Sequence, residues 1–487
     1  MLRVVGELAK ELNEAGIRYC HWKSNWALGE SVRGDGDLDL LVHREDGSRF
    51  RAIAERLGFR PVVDAANPPF PAVEHLHAMD PDSTVIAHVH AYYRVVTGQS
   101  LVKNYRLPVE AMLLENARGE GSCLRVPRKG AELIIFIVRM LVKHTSPFEL
   151  VLLRRQWKKI RAETAWLLDD SALESARELL PHWLPRLDPP TFERAVRALQ
   201  RPAPLVRRIA LGYRIRRRLR AFARHGAIKV QIVEVRKFLN LLSHRLRGSK
   251  KGLTPNAGGA VIAFVGSEAS GKSTLANEIG SWLGKHYTVD RIHAGKPPGT
   301  LLTRLPNLLV PLMRRLLPSS RSTVVEARIA SSENPPAISP LFALRSVSLA
   351  WDRRALLLRA HANAANGRIV LCDRYPSGAG AIDGPQLARV LDSSHHSAWL
   401  RWLARLETRL YADIPPPDLV IYLSAPLNTT LARNQAREKT EDDTYVRKRH
   451  ARSADFTFDR TTVRRINTDR PLWETIREVK AAVWKTL

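Results

Sequence analysis

The feature that most constrains the fold of this chain is a glycine-rich loop between an apolar run and a helical pattern. The segment VIAFVGSEASGKST, which begins at Val261, satisfies the pattern G-x-x-x-x-G-K-[ST]. In that order, the backbone N–H groups of the loop and the N-terminus of the following helix can point at phosphate groups. The sequence therefore predicts a phosphate-binding loop made of Gly266, Ser267, Glu268, Ala269, Ser270, Gly271, Lys272, Ser273 and Thr274.

Side chains in and beyond this loop predict ATP and Mg²⁺ as ligands. Lys272 carries a charge that can follow a transferred phosphoryl group, and the Ser273 hydroxyl is placed to ligate Mg²⁺. A second apolar run, in RIVLCDRYPSG, brings Asp373 and Arg374 to its C-terminal end, where ligands of open parallel sheets bind. We expect Asp373 to position a metal ion or the acceptor, and Arg374 to clamp an acceptor phosphate. The alternative is an ordinary surface ion pair.

A third basic segment follows the apolar run PDLVIYL. In LARNQAREK, Arg433 and Arg437 are four residues apart and Lys439 follows. Helical spacing predicts both arginines on one face, where they could close over a triphosphate and neutralise charge in the transition state. A solvated basic helix is the alternative interpretation.

The length of 487 residues predicts more than one domain. Residues 1–125 read as an α+β domain, and residues 126–250 read as a basic helical connector. The segment from Gly248 to Gly259 lacks periodicity and marks the main boundary. In residues 258–487, apolar strands alternate with helical patterns, which predicts an α/β fold whose parallel sheet has helices on both faces.

Composition narrows the class of protein and of partner. Hydrophobic residues make up 45% of the chain, which excludes a disordered chain. A net charge of +29 predicts attraction to nucleotides, nucleic acid or anionic lipid. Widely spaced Cys20, Cys123 and Cys372 favour a reducing compartment, so we expect a cytoplasmic protein. The N-terminus mixes charges into its apolar residues, and the longest apolar stretch is too short to cross a bilayer, so we expect neither a signal peptide nor a transmembrane segment.

From Val261 onward these motifs together resemble thymidylate kinase. Glu268 lies where that family carries an acidic residue inside the loop, near the sugar of the acceptor nucleotide. LAWDRRALL resembles the family helix whose Asp-Arg pair faces the acceptor, which points to Asp352 and Arg353. DRY at Asp373 is similar to the family hallmark, and LARNQAR resembles its arginine-bearing lid. The resemblance implies transfer from ATP to a nucleoside monophosphate such as dTMP, which gives ADP and dTDP.

The acceptor segments depart from that family. KPPGT stands where the family has Arg-Glu-Pro-Gly-Gly-Thr, and AIDG, with Ile382 and Asp383, stands where the family reads thymine. A basic, proline-rich stretch at about 301–340 has no counterpart in it. A kinase for another metabolite, such as a sugar or cell-envelope precursor, is therefore an open alternative.

The N-terminal segment GDGDLDLLV, together with CHWKSN upstream, resembles the nucleotidyltransferase superfamily. Asp37 and Asp39, two residues apart on a strand, could share divalent metal ions. The resemblance makes the basic and hydroxyl side chains upstream candidates for triphosphate contacts: Lys23, Ser24 and Arg33. That superfamily carries a third carboxylate on a neighbouring strand, where this chain has His88 with His90 beside it. Two interpretations of this domain remain open. It is a binding or scaffolding domain, or it transfers a nucleotidyl group onto the product of the kinase.

The run from Leu205 to Lys229 combines apolar helical spacing with many arginines. It predicts either a helix that binds nucleic acid or an anionic membrane surface, or arginines that cover apolar surface within an ordinary helical domain. The first reading allows a further alternative for the whole chain, a nucleotide-gated protein that binds nucleic acid or membrane.

Overall fold

The computed structural model describes the chain outside residues 65–69, 120–123, 145–146, 201–204, 247–251, 301–339, 378–382, 388–396, 438–439, 454–457 and 459. Several residues discussed above lie outside the described ones: Cys123, the stretch at 301–339, Ile382 and Lys439. The chain forms two compact units, Met1–Lys250 and Lys251–Leu487. Mixed α/β architecture, as expected from the sequence, is confirmed.

The first unit is built on a mixed sheet with strand order β1-β2-β5-β4-β3. β2 and β5 are parallel, and the other neighbouring strands are antiparallel. The pairs β6-β7 and β8-β9 are antiparallel as well. The strands are β1 (Tyr19–His21), β2 (Leu38–Val42), β3 (Arg60–Val63), β4 (Val73–Met79), β5 (Ile86–Tyr92), β6 (Val95–Thr97), β7 (Tyr105–Leu107), β8 (Arg118–Gly119) and β9 (Arg125–Val126).

The β-branched run from Thr84 to His90 predicts a strand, and the strand is observed two residues later, as β5. Thr84 has a positive φ of 59°, and its N–H donates to the carbonyl of Asp80 at 2.9 Å. The Asp80 carboxylate also accepts a hydrogen bond from Ser83 at 2.7 Å. A turn therefore occupies the start of the β-branched run, and the extended strand begins only after it.

Helices cover the sheet of the first unit and form a second apolar core. α5 is central to that core, because every residue from Leu133 to Val138 is buried. In the arginine-rich helix α9, Ile215 is buried and the Arg208 guanidinium lies 4.1 Å from the ring centre of Trp157. Arg208 thus covers apolar surface within the unit. The helices are α1 (Arg3–Glu14), α2 (Leu28–Ser31), α3 (Gly47–Arg56), α4 (Glu110–Leu114), α5 (Lys129–Lys143), α6 (Pro147–Leu167), α7 (Asp170–Trp183), α8 (Pro189–Gln200), α9 (Leu205–Arg218) and α10 (Ala227–Leu246).

The second unit contains a five-stranded parallel sheet in the order β12-β13-β11-β14-β15. The predicted apolar strands are confirmed in β11, β13 and β14, which are almost entirely buried as a sheet covered on both faces requires. The strands of this sheet are β11 (Ala260–Gly266), β12 (Val289–His293), β13 (Ile369–Asp373), β14 (Leu419–Ser424) and β15 (Thr462–Asn467), and the short β10 (Thr254–Pro255) lies outside it.

The strand order shows that the direction in which successive strands are added changes beside β11. The chain crosses from β11 to one side for β12 and β13, and to the other side for β14 and β15, so ligands are expected beyond the C-terminal end of β11. The helices of this unit are α11 (Lys272–Leu283), α12 (Pro340–Ala365), α13 (Ala398–Ala412), α14 (Leu427–Gln435), α15 (Asp443–Arg452) and α16 (Leu472–Thr486).

Within the described residues, no helix has both the length and the apolar character that crossing a bilayer requires.

Candidate functional site

The phosphate-binding loop joins the central strand β11 to helix α11. Gly266 ends the strand with a φ of 147°, and a Cβ there would lie 2.3 Å from the carbonyl oxygen of Leu423. Gly271, with a φ of 93°, immediately precedes the first helical residue. Two glycines therefore allow the backbone to approach β14 closely and then to turn into the helix, whose N-terminus faces the loop.

The Lys272 side chain lies against the backbone of the loop. Its Nζ donates to the carbonyl oxygens of Gly266 at 3.2 Å and Ser267 at 2.6 Å. Only 6% of the residue is exposed, and burial lowers the pKa of its ammonium group to about 8. The loop residues from Ser267 to Ser270 are also buried, whereas Ser273 and Thr274 are exposed at the start of the helix.

Ser273 and Asp373 come together at the ends of two different elements. Ser273 Oγ donates to Asp373 Oδ2 at 2.6 Å. The other oxygen, Asp373 Oδ1, is buried and has no hydrogen-bond partner among the residues that the structure describes. A hydroxyl beside a carboxylate with an unpaired buried oxygen is a donor set that suits Mg²⁺, a hard cation that prefers oxygen ligands.

Three arginines meet next to the loop, and we call Arg353, Arg374 and Arg449 the arginine cluster. Two carboxylates lie among them. Glu268, inside the loop, is 2.7 Å from Arg374 Nη2 and 3.1 Å from Arg449 Nε. Asp383 Oδ1 is 3.6 to 3.8 Å from a guanidinium nitrogen of each arginine. Three cations against two anions leave this pocket wall with a net positive charge.

Arg353 and Arg449 differ in how their guanidinium groups are held. Arg353 is 5% exposed and fully engaged, because its Nε donates to the Ala294 carbonyl at 2.8 Å and its Nη1 donates to Tyr411 Oη at 2.8 Å. Arg449 Nε and Nη2 are buried and make ion-pair contacts, yet neither has a hydrogen-bond partner of good geometry among the described residues. Arg449 therefore has N–H groups that can donate to an anionic ligand.

Burial and charge compete at the two carboxylates of the pocket. Burial alone would raise the pKa of Glu268, but Lys272 and the neighbouring arginines outweigh it and lower that pKa to about 2. The pKa of Asp383 is likewise lowered despite burial. Burial alone would lower the pKa of Arg374, but the two carboxylates raise it above its ordinary value. Glu268, Asp383 and Arg374 are thus charged near neutral pH.

Three further residues were expected at this site: Asp352, Arg433 and Arg437. Asp352 is buried beside Arg353, but its Oδ1 accepts from the backbone N–H of Thr300 at 2.9 Å, at the end of KPPGT. Arg433 donates to the Thr468 carbonyl at 2.8 Å. The helix that carries it ends at Gln435, so the expectation that Arg437 shares its helical face was wrong, and Arg437 is exposed.

Sequence reasoning missed Arg449. It lies on α15, in the segment DTYVRKRHAR, whose many charges read as a solvated surface. The only available signal was that a second basic helix follows LARNQAR closely. Its contact with Glu268 depends on the fold, because the two residues are far apart in sequence.

In the first unit, the two aspartates contact histidines of β5. Asp37, just before β2, is 2.9 Å from His88 Nδ1, and Asp39, on β2, is 3.1 Å from His90 Nδ1. Lys23 Nζ lies 2.8 Å from Asp39 Oδ1. Of the other two residues expected to contact a triphosphate, Ser24 lies in a left-handed turn directly after Lys23, and Arg33 is exposed beside Asp35.

Comparison with known proteins gives relatives but no family model, since none matches the chain. The uncharacterized ATP-binding protein YghR of Escherichia coli K12 is 26% identical over 237 residues, which cover 47% of this chain and 88% of YghR. The uncharacterized ATP-binding protein YghS of the same strain is 30% identical over 182 residues, which cover 36% of this chain and 72% of YghS.

Proposed function

The chain belongs to the family of the ATP-binding protein YghS, and from this premise we propose that it binds ATP with Mg²⁺ and transfers the γ-phosphoryl group to a phosphorylated acceptor, a nucleoside monophosphate such as dTMP. The observation that carries the proposal is the arginine cluster beside the phosphate-binding loop. Its link to the loop is Glu268, which contacts both Arg374 and Arg449. A second anion can therefore bind next to the triphosphate.

In this mechanism the donor phosphates lie along the loop backbone and the N-terminus of α11. Lys272 exchanges its carbonyl partners for the β- and γ-phosphate oxygens, which are stronger acceptors because they are charged. Ser273 and Asp373 would hold Mg²⁺, which supplies charge neutralisation between the phosphates. Rate enhancement then comes from positioning and from neutralised charge, with little covalent chemistry asked of the protein.

The acceptor phosphate lies against the arginine cluster in this proposal. Arg449 donates through Nε and Nη2, which have no hydrogen-bond partner among the described residues, and Arg374 donates from the turn that follows β13. Arg353 is fully engaged and fixes the position of Asp383. An acceptor oxygen then attacks the γ-phosphorus, the bond to the β-phosphate oxygen breaks, and ADP leaves.

The two buried carboxylates favour a second candidate, a kinase for a hydroxylated metabolite such as a sugar or cell-envelope precursor. Glu268 and Asp383 already neutralise much of the arginine charge, and charged carboxylates accept hydrogen bonds from hydroxyl groups. An acceptor without a phosphate would use these carboxylates and leave the arginines paired.

The experiment that tests both candidates is ADP release with ATP and Mg²⁺ over a panel of nucleoside monophosphates, dTMP included, and of unphosphorylated sugars and nucleosides. Stimulation by monophosphates is expected, with the phosphorylated product identified by ³¹P NMR. If only the unphosphorylated sugars or nucleosides stimulate ADP release, the second candidate replaces the first. If ATP binds and no acceptor stimulates release, phosphoryl transfer is the wrong reaction.

Arg449→Ala is expected to raise the KM for the acceptor while the Kd for ATP stays unchanged. A charge-assisted hydrogen bond contributes roughly 1.5 to 3 kcal/mol, so kcat/KM for the acceptor should fall by about tenfold to about a hundredfold. Steady-state kinetics and calorimetric titration with ATP measure the two effects. Arg447→Ala, an exposed position on the same helix, is the matched control. A weaker ATP affinity with an unchanged acceptor KM would place Arg449 at the donor instead.

A further inference from the structure

Four histidines lie on one face of the first unit's sheet, His75 and His77 on β4, and His88 and His90 on β5. The antiparallel register pairs His75 with His90, and side chains two residues apart on a strand share a face, so His88 lies beside His90. In the parallel register of β2 with β5, Asp39 pairs with the same His90. The sheet therefore collects imidazoles and a carboxylate from three adjacent strands.

The spacing of these imidazoles is that of metal ligands. We call His75, His88 and His90 the histidine cluster. One nitrogen of each lies within 4.8 Å of the others. His75 Nδ1 is 3.2 Å from His88 Nε2. Ligands about 2.0 to 2.1 Å from a tetrahedral zinc ion lie roughly 3.3 Å from each other. The ring nitrogens of His75 and His88 are therefore already separated by about the distance between two zinc ligands.

The two aspartates fix which nitrogens face the cluster. Asp37 Oδ1 contacts Nδ1 of His88 at 2.9 Å, and Asp39 Oδ1 contacts Nδ1 of His90 at 3.1 Å. A carboxylate behind a histidine orients the ring and leaves the opposite nitrogen for a metal ion, which is the usual arrangement around zinc ligands. Nε2 of both histidines is thereby available.

We propose that the histidine cluster binds one first-row transition-metal ion, with Zn²⁺ the best fit, through His75 Nδ1, His88 Nε2 and His90 Nε2. Three neutral imidazoles suit Zn²⁺, whereas Mg²⁺ prefers oxygen ligands. Asp39 is further occupied by Lys23 at 2.8 Å. The aspartates therefore position the ligands, and the site differs from a pair of magnesium ions held by carboxylates.

A fourth ligand of this ion would have to come from outside the histidine cluster. The Asp37 side chain is half exposed, and its Oδ2 lies 3.8 Å from His90 Nε2, on the side of the cluster nitrogens. Three protein ligands with an exchangeable fourth are typical of catalytic rather than structural zinc. A water molecule or a small anionic ligand can occupy that position.

The test uses the full chain with its purification tag removed, stripped with a chelator and then supplied with Zn²⁺ in the presence of excess Mg²⁺. We expect one zinc per chain by elemental analysis after gel filtration. Co²⁺ should give the visible absorption of a low-coordinate nitrogen site. Asp37→Asn should weaken zinc binding by about 10-fold to about 100-fold, as loss of a ligand-orienting carboxylate does.

Variants decide where the metal binds. His75→Ala and His88→Ala should each lose the stoichiometric zinc, whereas His182→Ala, an exposed histidine of the same unit, and Ser273→Ala in the phosphate-binding loop should keep it. Zinc should also raise the Tm of the wild type, of His182→Ala and of Ser273→Ala, but not of His75→Ala or His88→Ala. The Tm measurement also shows whether a variant that has lost zinc is still folded. Absence of stoichiometric zinc in the wild type, or zinc that survives the double change His75→Ala with His88→Ala, would overturn the proposal.

Discussion

Lys272→Ala is expected to lower kcat for ATP-dependent phosphoryl transfer by at least about a hundredfold, which corresponds to roughly 2.7 kcal/mol of transition-state stabilisation. Lys272 Nζ lies on the backbone of the loop, at 2.6 Å from the Ser267 carbonyl. Alanine thus removes the cation that follows the transferred group.

The measurement is ADP release at saturating ATP and acceptor, compared with binding of ATP by calorimetry. A fall in kcat that exceeds the loss of ATP affinity would show that the lysine acts mainly in the transition state. Lys285→Ala is the matched control, because Lys285 is exposed just beyond the same helix. If Lys272→Ala keeps wild-type turnover, the ADP is produced elsewhere or by a contaminant.

Much of the fold could be predicted because a buried strand can be recognised in the sequence as a short run of apolar residues. β11, β13 and β14 are buried on both faces, so each is an unbroken apolar run in the sequence. The strands predicted from these runs, 261–265, 369–372 and 419–423, end within one residue of the observed strands. The loop is equally local. Its conformation depends on Gly266 and Gly271, five residues apart.

The site is predictable only where its members lie close together in sequence. Asp373 follows directly from its strand, and its contact with Ser273 follows from the parallel order of the sheet. Arg449 and Asp383 reach Glu268 and Arg374 across long sequence separations. A charged helix looks the same in sequence whether it faces water or a pocket, so no periodicity separates these cases.

The histidine cluster shows the same limit in the first unit. His88 and His90 stand out because they share a strand with alternating burial. His75 joins them only through the antiparallel register of β4 with β5, which a single sequence does not encode locally. The pairing of strands, rather than any motif, turns two histidines into a three-ligand cluster.

Asp373→Asn is expected to lower kcat by about a hundredfold to about a thousandfold and to raise the Mg²⁺ concentration for half-maximal rate, because it removes the negative charge that faces the metal and the phosphates. The asparagine side chain keeps an oxygen that can accept from Ser273 Oγ, as Oδ2 does at 2.6 Å. The loop should therefore stay folded, and ATP binding without Mg²⁺ should equal that of the wild type.

The decisive measurement for Asp373→Asn is the rate as a function of Mg²⁺ at fixed ATP. Asp413→Asn provides the control, since Asp413 carries the same charge in the same unit but pairs with Arg354 at the surface, with nearly half of its side chain exposed. An unchanged Mg²⁺ dependence with a lower acceptor affinity would assign Asp373 to the acceptor. In that case its buried, unpaired Oδ1 would accept a hydroxyl of the acceptor, and Ser273 alone among the two would be left for the metal ion.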